Sequence, residues 1–581
     1  MPDLRALRDR WLAEWPAALA GWSRFTRLSE PRWCFSAAEA KAEGLTQSFA
    51  MIRLDDHAVV INLAQVAELK LEPFALEVLA HEIGHHVYCP ADLTDNARLI
   101  ARLRWGLPTK EHLAGLVGNL YADLLINDRL QRGLGLRLAE VYRALGAGAQ
   151  DRLWTLYMRV YEILWSQPRG SLAGQAPDDR TEGDAQLGAR LVRHYARDWL
   201  DGAGKFAALC LPYLLDNPAQ EARWLARLHD LEQAGRGGFP AGLTEIEAGE
   251  REGAVHPAYD PALADLDGAD GAKKEAGEPA AAPGAGGARG QAREPFAYGE
   301  ILKALGLKLT DQEIAARYYR ERAAPHLIPF PERKNPQTVD PLPEGVEPWD
   351  VGAALEEIDW LQSVLVSPAV IPGLTTVRRV WGESPGGEPQ REPLDLDLYV
   401  DCSGSMPNPQ HATSFLTLAG AIVALSALRV GARVQATLWS GARQFITTDG
   451  FVRDEAAVLR ILTGYLGGAT AFPIHFLRDT FQDRRPTDRP AHILVISDDG
   501  VTTMFDKDEK ANSGWDIAAM ALKQARGGGT LVLNLYQEWT KNPDLVRAAG
   551  LGWAIFVVRT WDELVKFARE FSRLKYGDDG R

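Results

Sequence analysis

Between residues 268 and 290 the chain carries 17 Gly, Ala or Pro among 23 positions, with no aromatic and no β-branched side chain. Such a stretch cannot bury enough apolar area to offset the entropy lost on ordering, so no single core can run through it. The 581 residues must therefore condense into separate bodies on either side, with material for roughly two to four domains. The weakly patterned region around the stretch reads as a flexible linker over 236–294. It separates two halves whose apolar patterns differ.

Residues 1–235 carry Leu, Ala, Arg and Trp at helical spacing and predict a mostly helical domain. Within it, Ala80-His81-Glu82-Ile83-Gly84-His85-His86 sets two imidazoles four residues apart, with a glutamate directly after the first. Residues i and i+4 share a helix face, so His81 and His85 can close on one metal ion with Glu82 beside them. Leu76, Leu79, Ile83 and Val87 predict a buried stripe behind that face. Pro73 suits the first turn, and Pro90 ends the helix after Cys89. Neutral imidazole suits Zn2+, and bound zinc lowers the pKa of water to about 7. The segment is similar to the HExxH zinc peptidases. That resemblance implies His81 and His85 as ligands and Glu82 as the catalytic base.

Such a site needs a third protein ligand. The extended pattern HExxHxxGxxH would need glycine at 88 and histidine at 91, where the chain has Tyr88 and Ala91, so that subclass is excluded. Asn119, Asp123 and Asn127 fall at i, i+4 and i+8 on one face of an apolar helix. An acid there with an amide one turn later resembles the glutamate-ligand zincins, whose second helix supplies a carboxylate and then a group that orients a histidine. The resemblance implies Asp123 as ligand and Asn127 as the orienting group, with aspartate in place of glutamate. Glu111, His112 and Asp128 stand as rival ligands, and Cys89 reads as a buried core thiol.

Residues 295–389 read as a connecting region: a helix over 298–323, a Pro-rich passage, and a helix over 351–365. From residue 393 strands alternate with helices. Strands are predicted over 394–400, 433–439, 492–497, 530–536 and 553–558, with a helix over 411–428 and a last one over 561–574. This alternation implies a parallel sheet covered on both faces, a doubly wound α/β domain over 390–577. At the end of its first strand lies Asp401-Cys402-Ser403-Gly404-Ser405, where doubly wound sheets bind ligands. One carboxylate and two hydroxyls offer hard oxygen donors suited to Mg2+. Gly467-Gly468-Ala469-Thr470-Ala471 brings a further hydroxyl, and Ser497-Asp498-Asp499 ends a later strand with carboxylates. Together these resemble a von Willebrand factor A domain and its metal-ion-dependent adhesion site. The resemblance implies that Asp401, Ser403, Ser405, Thr470 and Asp498 bind Mg2+, some through water, and that a partner's acidic side chain completes the ion's shell. Asp499 stands where that family often has glycine.

A net charge of -14 without any basic run argues against nucleic acid as a partner. The longest uncharged apolar stretch, 414–428, is 15 residues, short of a membrane span. The N-terminus lacks the apolar core of a signal peptide, and Cys34, Cys89, Cys210 and Cys402 are scattered, so a reducing, cytoplasmic setting is expected. No GxxxxGK[ST] motif is present, so ATP hydrolysis is not expected of this chain. A zincin-like domain joined to a von Willebrand A domain resembles predicted bacterial metallopeptidases that work with MoxR-type AAA+ ATPases. The resemblance implies a zinc-dependent peptidase with a Mg2+-dependent docking domain. The competing reading is a non-catalytic adaptor, comparable with the chelatase-type subunits of AAA+ complexes, in which the zinc site is structural or vestigial.

Overall fold

The computed structural model describes residues 3–45, 48–146, 151–216, 239–251, 253–264, 291–330, 332–334, 339–385 and 391–560, with Glu563, Phe567 and Phe571 beyond them. The chain divides into two units, one of residues 1–321 with 409–413 and the other of 322–408 with 414–581.

Helical apolar spacing makes the first unit mainly α. Its helices include α1 (Leu4–Trp22), α2 (Ala37–Ala42), α3 (Leu63–Glu68), α4 (Ala75–Val87), α5 (Leu93–Trp105) and α6 (Ala114–Leu134). They continue with α7 (Leu138–Leu145), α8 (Arg152–Leu164), α9 (Asp179–His194) and α10 (Trp199–Leu215). The unit also holds a sheet that the helical pattern did not announce. Strands β1 (Arg32–Cys34), β2 (Ala50–Ile52) and β3 (Val59–Asn62) run in the order β1-β3-β2, with β1 parallel and β2 antiparallel to β3. Strands this short carry no readable alternation. Among the described residues no helix is long and apolar enough to cross a membrane.

Helix α4 is enclosed rather than one-sided. Leu79 and Ile83 are fully buried, as the stripe predicts, but Val78, Ala80 and Gly84 are buried too, while Val87 at the stripe's end is 38% exposed. A single apolar stripe marks a surface helix, whereas α1, α6 and β2 all pack on α4. Gly84 permits this approach. A Cβ there would stand 2.6 Å from Ile126 Cγ2 on α6 and 2.7 Å from Trp22 Cζ2 on α1. Trp22 Nε1 also donates to the Ala80 carbonyl at 2.7 Å.

Part of the stretch expected as linker is built into this unit. Residues 265–290 lie outside the described residues, but Arg293 donates to both carboxylate oxygens of Glu250 at 2.9 Å and to the Leu243 carbonyl at 2.9 Å. Tyr195 donates to Asp260 Oδ2 at 2.6 Å. The expected connecting region is divided as well, since 295–321 belong to the first unit. Its single predicted helix is two, Pro295–Ala304 and Asp311–Ala323. The break falls at Gly306, whose φ of 81° ends the first helix in the left-handed region.

In the second unit β4 (Glu332–Lys334) pairs with β7 (Arg391–Pro393), and β5 (Val339–Pro348) with β6 (Val377–Pro385), both antiparallel. The main sheet holds β8 (Asp395–Asp401), β9 (Val434–Trp439), β10 (Phe445–Thr447), β11 (Ala491–Ser497), β12 (Arg526–Leu533) and β13 (Trp553–Val557). Its order is β10-β9-β8-β11-β12-β13, and every pairing is parallel except β10 with β9. Every residue of β8, β9 and β11 is buried, as expected of parallel strands covered on both faces. Helix Phe415–Arg429 lies over Leu398, Val400 and Ile496. Helices Ile474–Phe481 and Gly514–Ala525 pack on the opposite face with Tyr399, Val495 and Leu531.

Three details of the second unit depart from the pattern. Strand β10, three residues long, was not foreseen, and β12 stops at Leu533. The helix expected over 351–365 is confined to Trp360–Val366, because Leu355–Glu357 form a single 3-10 turn and Ile358 bridges to Arg378. The last expected helix falls mostly outside the described residues. Neighbouring strands β8 and β11 form the point where strand order reverses, and ligands of doubly wound sheets bind outside the carboxyl ends at such a point.

Candidate metal centres

One turn of α4 brings the rings of His81 and His85 to 4.9 Å between centroids, edge to face. Helix α6 then presents Asp123, whose Oδ1 lies 3.5 Å from His81 Nε2 and 3.4 Å from His85 Nε2. Tetrahedral bonds of the length zinc makes to nitrogen and oxygen put ligand atoms roughly 3.3–3.6 Å apart, so these separations suit such an ion. Among the described residues this is the one group of three His, Cys, Asp or Glu side chains able to hold a metal, with ligand atoms within 4.8 Å of one another.

The tautomers follow from the outer partners. His85 Nδ1 lies 3.1 Å from the Cys89 carbonyl oxygen. A carbonyl only accepts, so Nδ1 carries the proton and the Nε2 lone pair faces Asp123. Asn127 Nδ2 donates to Tyr142 at 3.1 Å and Tyr161 at 2.9 Å. That orientation leaves Asn127 Oδ1 to accept from His81 Nδ1 at 2.7 Å, which gives His81 the same tautomer. Three lone pairs then converge, and Asp123 Oδ1 is a buried oxygen with no hydrogen-bond partner among the described residues. Such a group is costly to leave unsatisfied. A divalent cation satisfies all three donors, and two neutral imidazoles with one carboxylate are a set zinc accepts.

The rival ligands have other places. Asp128 holds Arg132 at 2.7 and 2.6 Å, and Glu111 and His112 lie on a 3-10 turn outside the group. Cys89 offers its carbonyl, while burial pushes its thiol pKa up. Asn119 Nδ2 stands 3.5 Å from Asp123 Oδ2. The tyrosines behind Asn127 were not foreseen. Tyr157 and Tyr161 are one turn apart on α8, a spacing that core packing produces equally often, and their hydroxyls lie 3.0 Å apart. Burial pushes the pKa of Tyr142, Tyr157 and Tyr161 up, so the cluster stays protonated.

Glu82 is 6% exposed. Burial pushes its carboxyl up to about 7; His81 and the Ile52 N–H oppose the shift, and Asp123 adds to it. A general base is most effective with a pKa near the working pH. The site opens on a cavity of about 300 Å³ with mainly apolar walls, among them Phe49, Val78, Leu120, Val141, Leu153 and Trp154. Strand β2, at the edge of its sheet among the described residues, follows directly on the lining residues Ser48 and Phe49.

In the second unit four of the five expected oxygen donors, Asp401, Ser403, Ser405 and Asp498, meet at the carboxyl ends of β8 and β11. Asp401 Oδ1 accepts from the Ser403 N–H at 2.8 Å, and the Ser403 and Ser405 hydroxyls lie 3.1 Å apart. Ser405 Oγ donates to Asp498 Oδ2 at 3.0 Å. Gly404 N–H donates to the Gly468 carbonyl at 2.8 Å, which ties the glycine loop to this turn. Thr470 lies against Gly500, where a Cβ would stand 2.3 Å from Thr470 Cγ2 and 2.9 Å from Asp498 Oδ1. Asp498 thus faces the site, while Asp499 opens the following 3-10 turn. Ser497, which the sequence did not single out, donates to Asp401 Oδ2 at 2.6 Å. Burial pushes the Asp401 carboxyl up, against the hydrogen bonds of Ser497 and Ser403.

No protein-family model matches this chain, and no curated protein is significantly similar to it. Fold and chemistry alone define its class. It is a protein of two units, one holding a buried imidazole–carboxylate triad and the other an oxygen-donor cluster at the switch point of a mixed six-stranded sheet.

Proposed function

We propose that the chain is a zinc-dependent peptidase of the zincin type, and that its second unit is a von Willebrand A domain that docks a protein through Mg2+ held by Asp401, Ser403, Ser405, Thr470 and Asp498. The observation that carries the peptidase reading is the convergence of His81 Nε2, His85 Nε2 and Asp123 Oδ1 beside buried Glu82, at the wall of a cavity. Structural zinc sites use four protein ligands and catalytic ones use three. The count of three favours the peptidase over an adaptor with structural zinc.

Zinc at this triad would supply Lewis acidity and acidify a water molecule. Glu82 takes the proton of the attacking water and returns it to the leaving amine. Asn127 and the Cys89 carbonyl hold the imidazoles in one tautomer. An extended peptide can pair with the edge of β2 and lie along α4, with an apolar side chain in the cavity. The partner of the second unit would present a carboxylate to Mg2+. By resemblance that partner class is a MoxR-type AAA+ ATPase and the setting is cytoplasmic, in keeping with four free cysteines.

Metal analysis of the purified chain, with cleavage of a peptide library by wild type and Glu82→Gln, tests the reading. One zinc per chain and cleavage lost in the variant support it. Equal cleavage by both proteins removes the enzymatic claim.

A further inference from the structure

Helix Trp360–Val366 in the second unit is turned inside out. Its buried side chain is Ser363, whose hydroxyl donates to the Asp359 carbonyl at 2.7 Å and accepts from the Val377 N–H at 2.9 Å. Its apolar residues point to solvent instead: Trp360 is 55% exposed, Leu361 68% and Leu365 70%. Each large apolar side chain left in water forgoes the favourable free energy of burial. The neighbouring structure extends the same surface. Asp359 pins the helix to the β5–β6 ribbon through Arg379 at 2.7 Å, and that ribbon exposes Val346 and Trp381. Scattered apolar residues are ordinary on a protein surface, but a contiguous patch marks an interaction site.

Charge indicates what covers it. Residues 342–381 hold six acids and two bases, Arg378 and Arg379, hence six minus two, a net -4. Both arginines are engaged, Arg378 by Glu347 and Glu357 and Arg379 by Asp359. Glu344, Asp350 and Glu356 remain exposed with no partner among the described residues, and Glu356 lines one shallow groove with Trp360 and Trp381. A second copy of the chain, docked about a two-fold axis, would set these acids against one another, which like-charge repulsion opposes.

We propose that this face docks a basic amphipathic helix of another protein, with its apolar side on Trp360, Leu361 and Leu365 and its Lys or Arg residues on Glu344, Asp350 and Glu356. The surface shares no residue with either metal centre. The test titrates the full-length chain into a fluorescent Leu/Lys amphipathic peptide and into a Leu/Glu peptide with the same apolar face. The Leu/Lys peptide is expected to bind, more weakly as salt rises, and the Leu/Glu peptide not to bind. The double variant Leu361→Asp, Leu365→Asp should weaken binding about tenfold or more, and Glu356→Lys severalfold with a shallower salt dependence. These positions are exposed, and an unchanged circular dichroism spectrum verifies that the variants fold. Equal binding of both peptides, or binding that survives the double variant, overturns the proposal. So does a wild-type dimer in sedimentation that Leu365→Asp disperses, since the occupant would then be a second copy.

Discussion

In the first unit the candidate donor atoms stand on two packed helices, and the carboxylate oxygen among them, Asp123 Oδ1, has no hydrogen-bond partner among the described residues. In the second the donors stand at a strand end and on the loops beside it, and bond one another. Both imidazoles of the first site have their Nδ1 held by groups on the far side of the ring. Ser405 instead donates a hydrogen bond to Asp498, and Ser497 donates one to Asp401. A cation entering the first site relieves crowded lone pairs. One entering the second must displace hydrogen bonds already made. The first arrangement suits a tightly held ion, as the proposed peptidase requires, and the second an exchangeable one, as the proposed docking requires.

The largest effect that can break this contrast is on turnover. Glu82→Gln should lower peptide hydrolysis by about 10²–10⁴-fold while the zinc content stays at that of wild type. Asp123→Ala should lose the zinc itself. Zinc retained in Asp123→Ala, measured by elemental analysis, would mean that the helix crossing does not build the first site.

Buried carboxyls sharpen the contrast next. Asp397, on β8 four residues before Asp401, is wholly buried; burial pushes its carboxyl up to about 7, against the hydrogen bond from Gln435 at 3.0 Å. At a pH below the unfolded value near 4, both folded and unfolded chains are protonated and the group has no effect. As pH rises from about 4 to about 7 the unfolded chain ionises while the native carboxyl stays protonated, so stability falls and then levels off. Asp397→Asn should remove that loss, stabilising the second unit above pH 7 by at most about 4 kcal/mol and by nothing at pH 4. Calorimetry across this range decides it. An unchanged pH slope in the variant would show that this sheet does not carry a buried neutral acid.

What the sequence made legible was whatever geometry a few residues of one element impose. His81, Glu82 and His85 needed only the pitch of a helix, and Asp401, Ser403 and Ser405 only one turn after a strand. Asp123 and Asn127 were visible as a polar row on an otherwise apolar helix. Contacts between distant segments were not legible. The hydroxyls that fix Asn127 come from α7 and α8, and Ser497 meets Asp401 across 96 residues. Gly84 in the histidine motif looked like a spacer, yet its missing Cβ lets α6 reach the site. The Arg293–Glu250 pair shows why averaged composition read 236–294 as uniform linker: one buried ion pair fixes both flanks of a stretch that is bland in between. The apolar residues of 360–366 marked a helix, but periodicity cannot say what covers the helix.

Positioning groups give the third way to test the contrast. Asn127→Leu keeps the volume but leaves His81 Nδ1 and two tyrosine hydroxyls without the amide. Loss of such an outer partner typically weakens a metal site 10–100-fold. Competition against a zinc chelator should read that loss, with the circular dichroism of the variant unchanged. Zinc affinity equal to wild type would mean that the tyrosine–amide cluster serves packing alone.

The smallest effect has the opposite sign. Ser497 is fully buried, and its hydroxyl occupies Asp401 Oδ2 at 2.6 Å. If the oxygens of the second site are held by one another, that hydroxyl competes with Mg2+ for the carboxylate. Ser497→Ala should then bind Mg2+ as tightly as wild type or severalfold more tightly, although the unit without ion loses about 1 kcal/mol for the missing hydrogen bond. The readout is the Mg2+-induced rise in the unfolding temperature of the second unit, which near tenfold saturation corresponds to about 1.4 kcal/mol. Asp401→Ala should abolish that rise and so verifies where the ion sits. A tenfold loss of Mg2+ affinity in Ser497→Ala would place Ser497 in the same role as Asn127, and the two sites would then differ in donor chemistry alone.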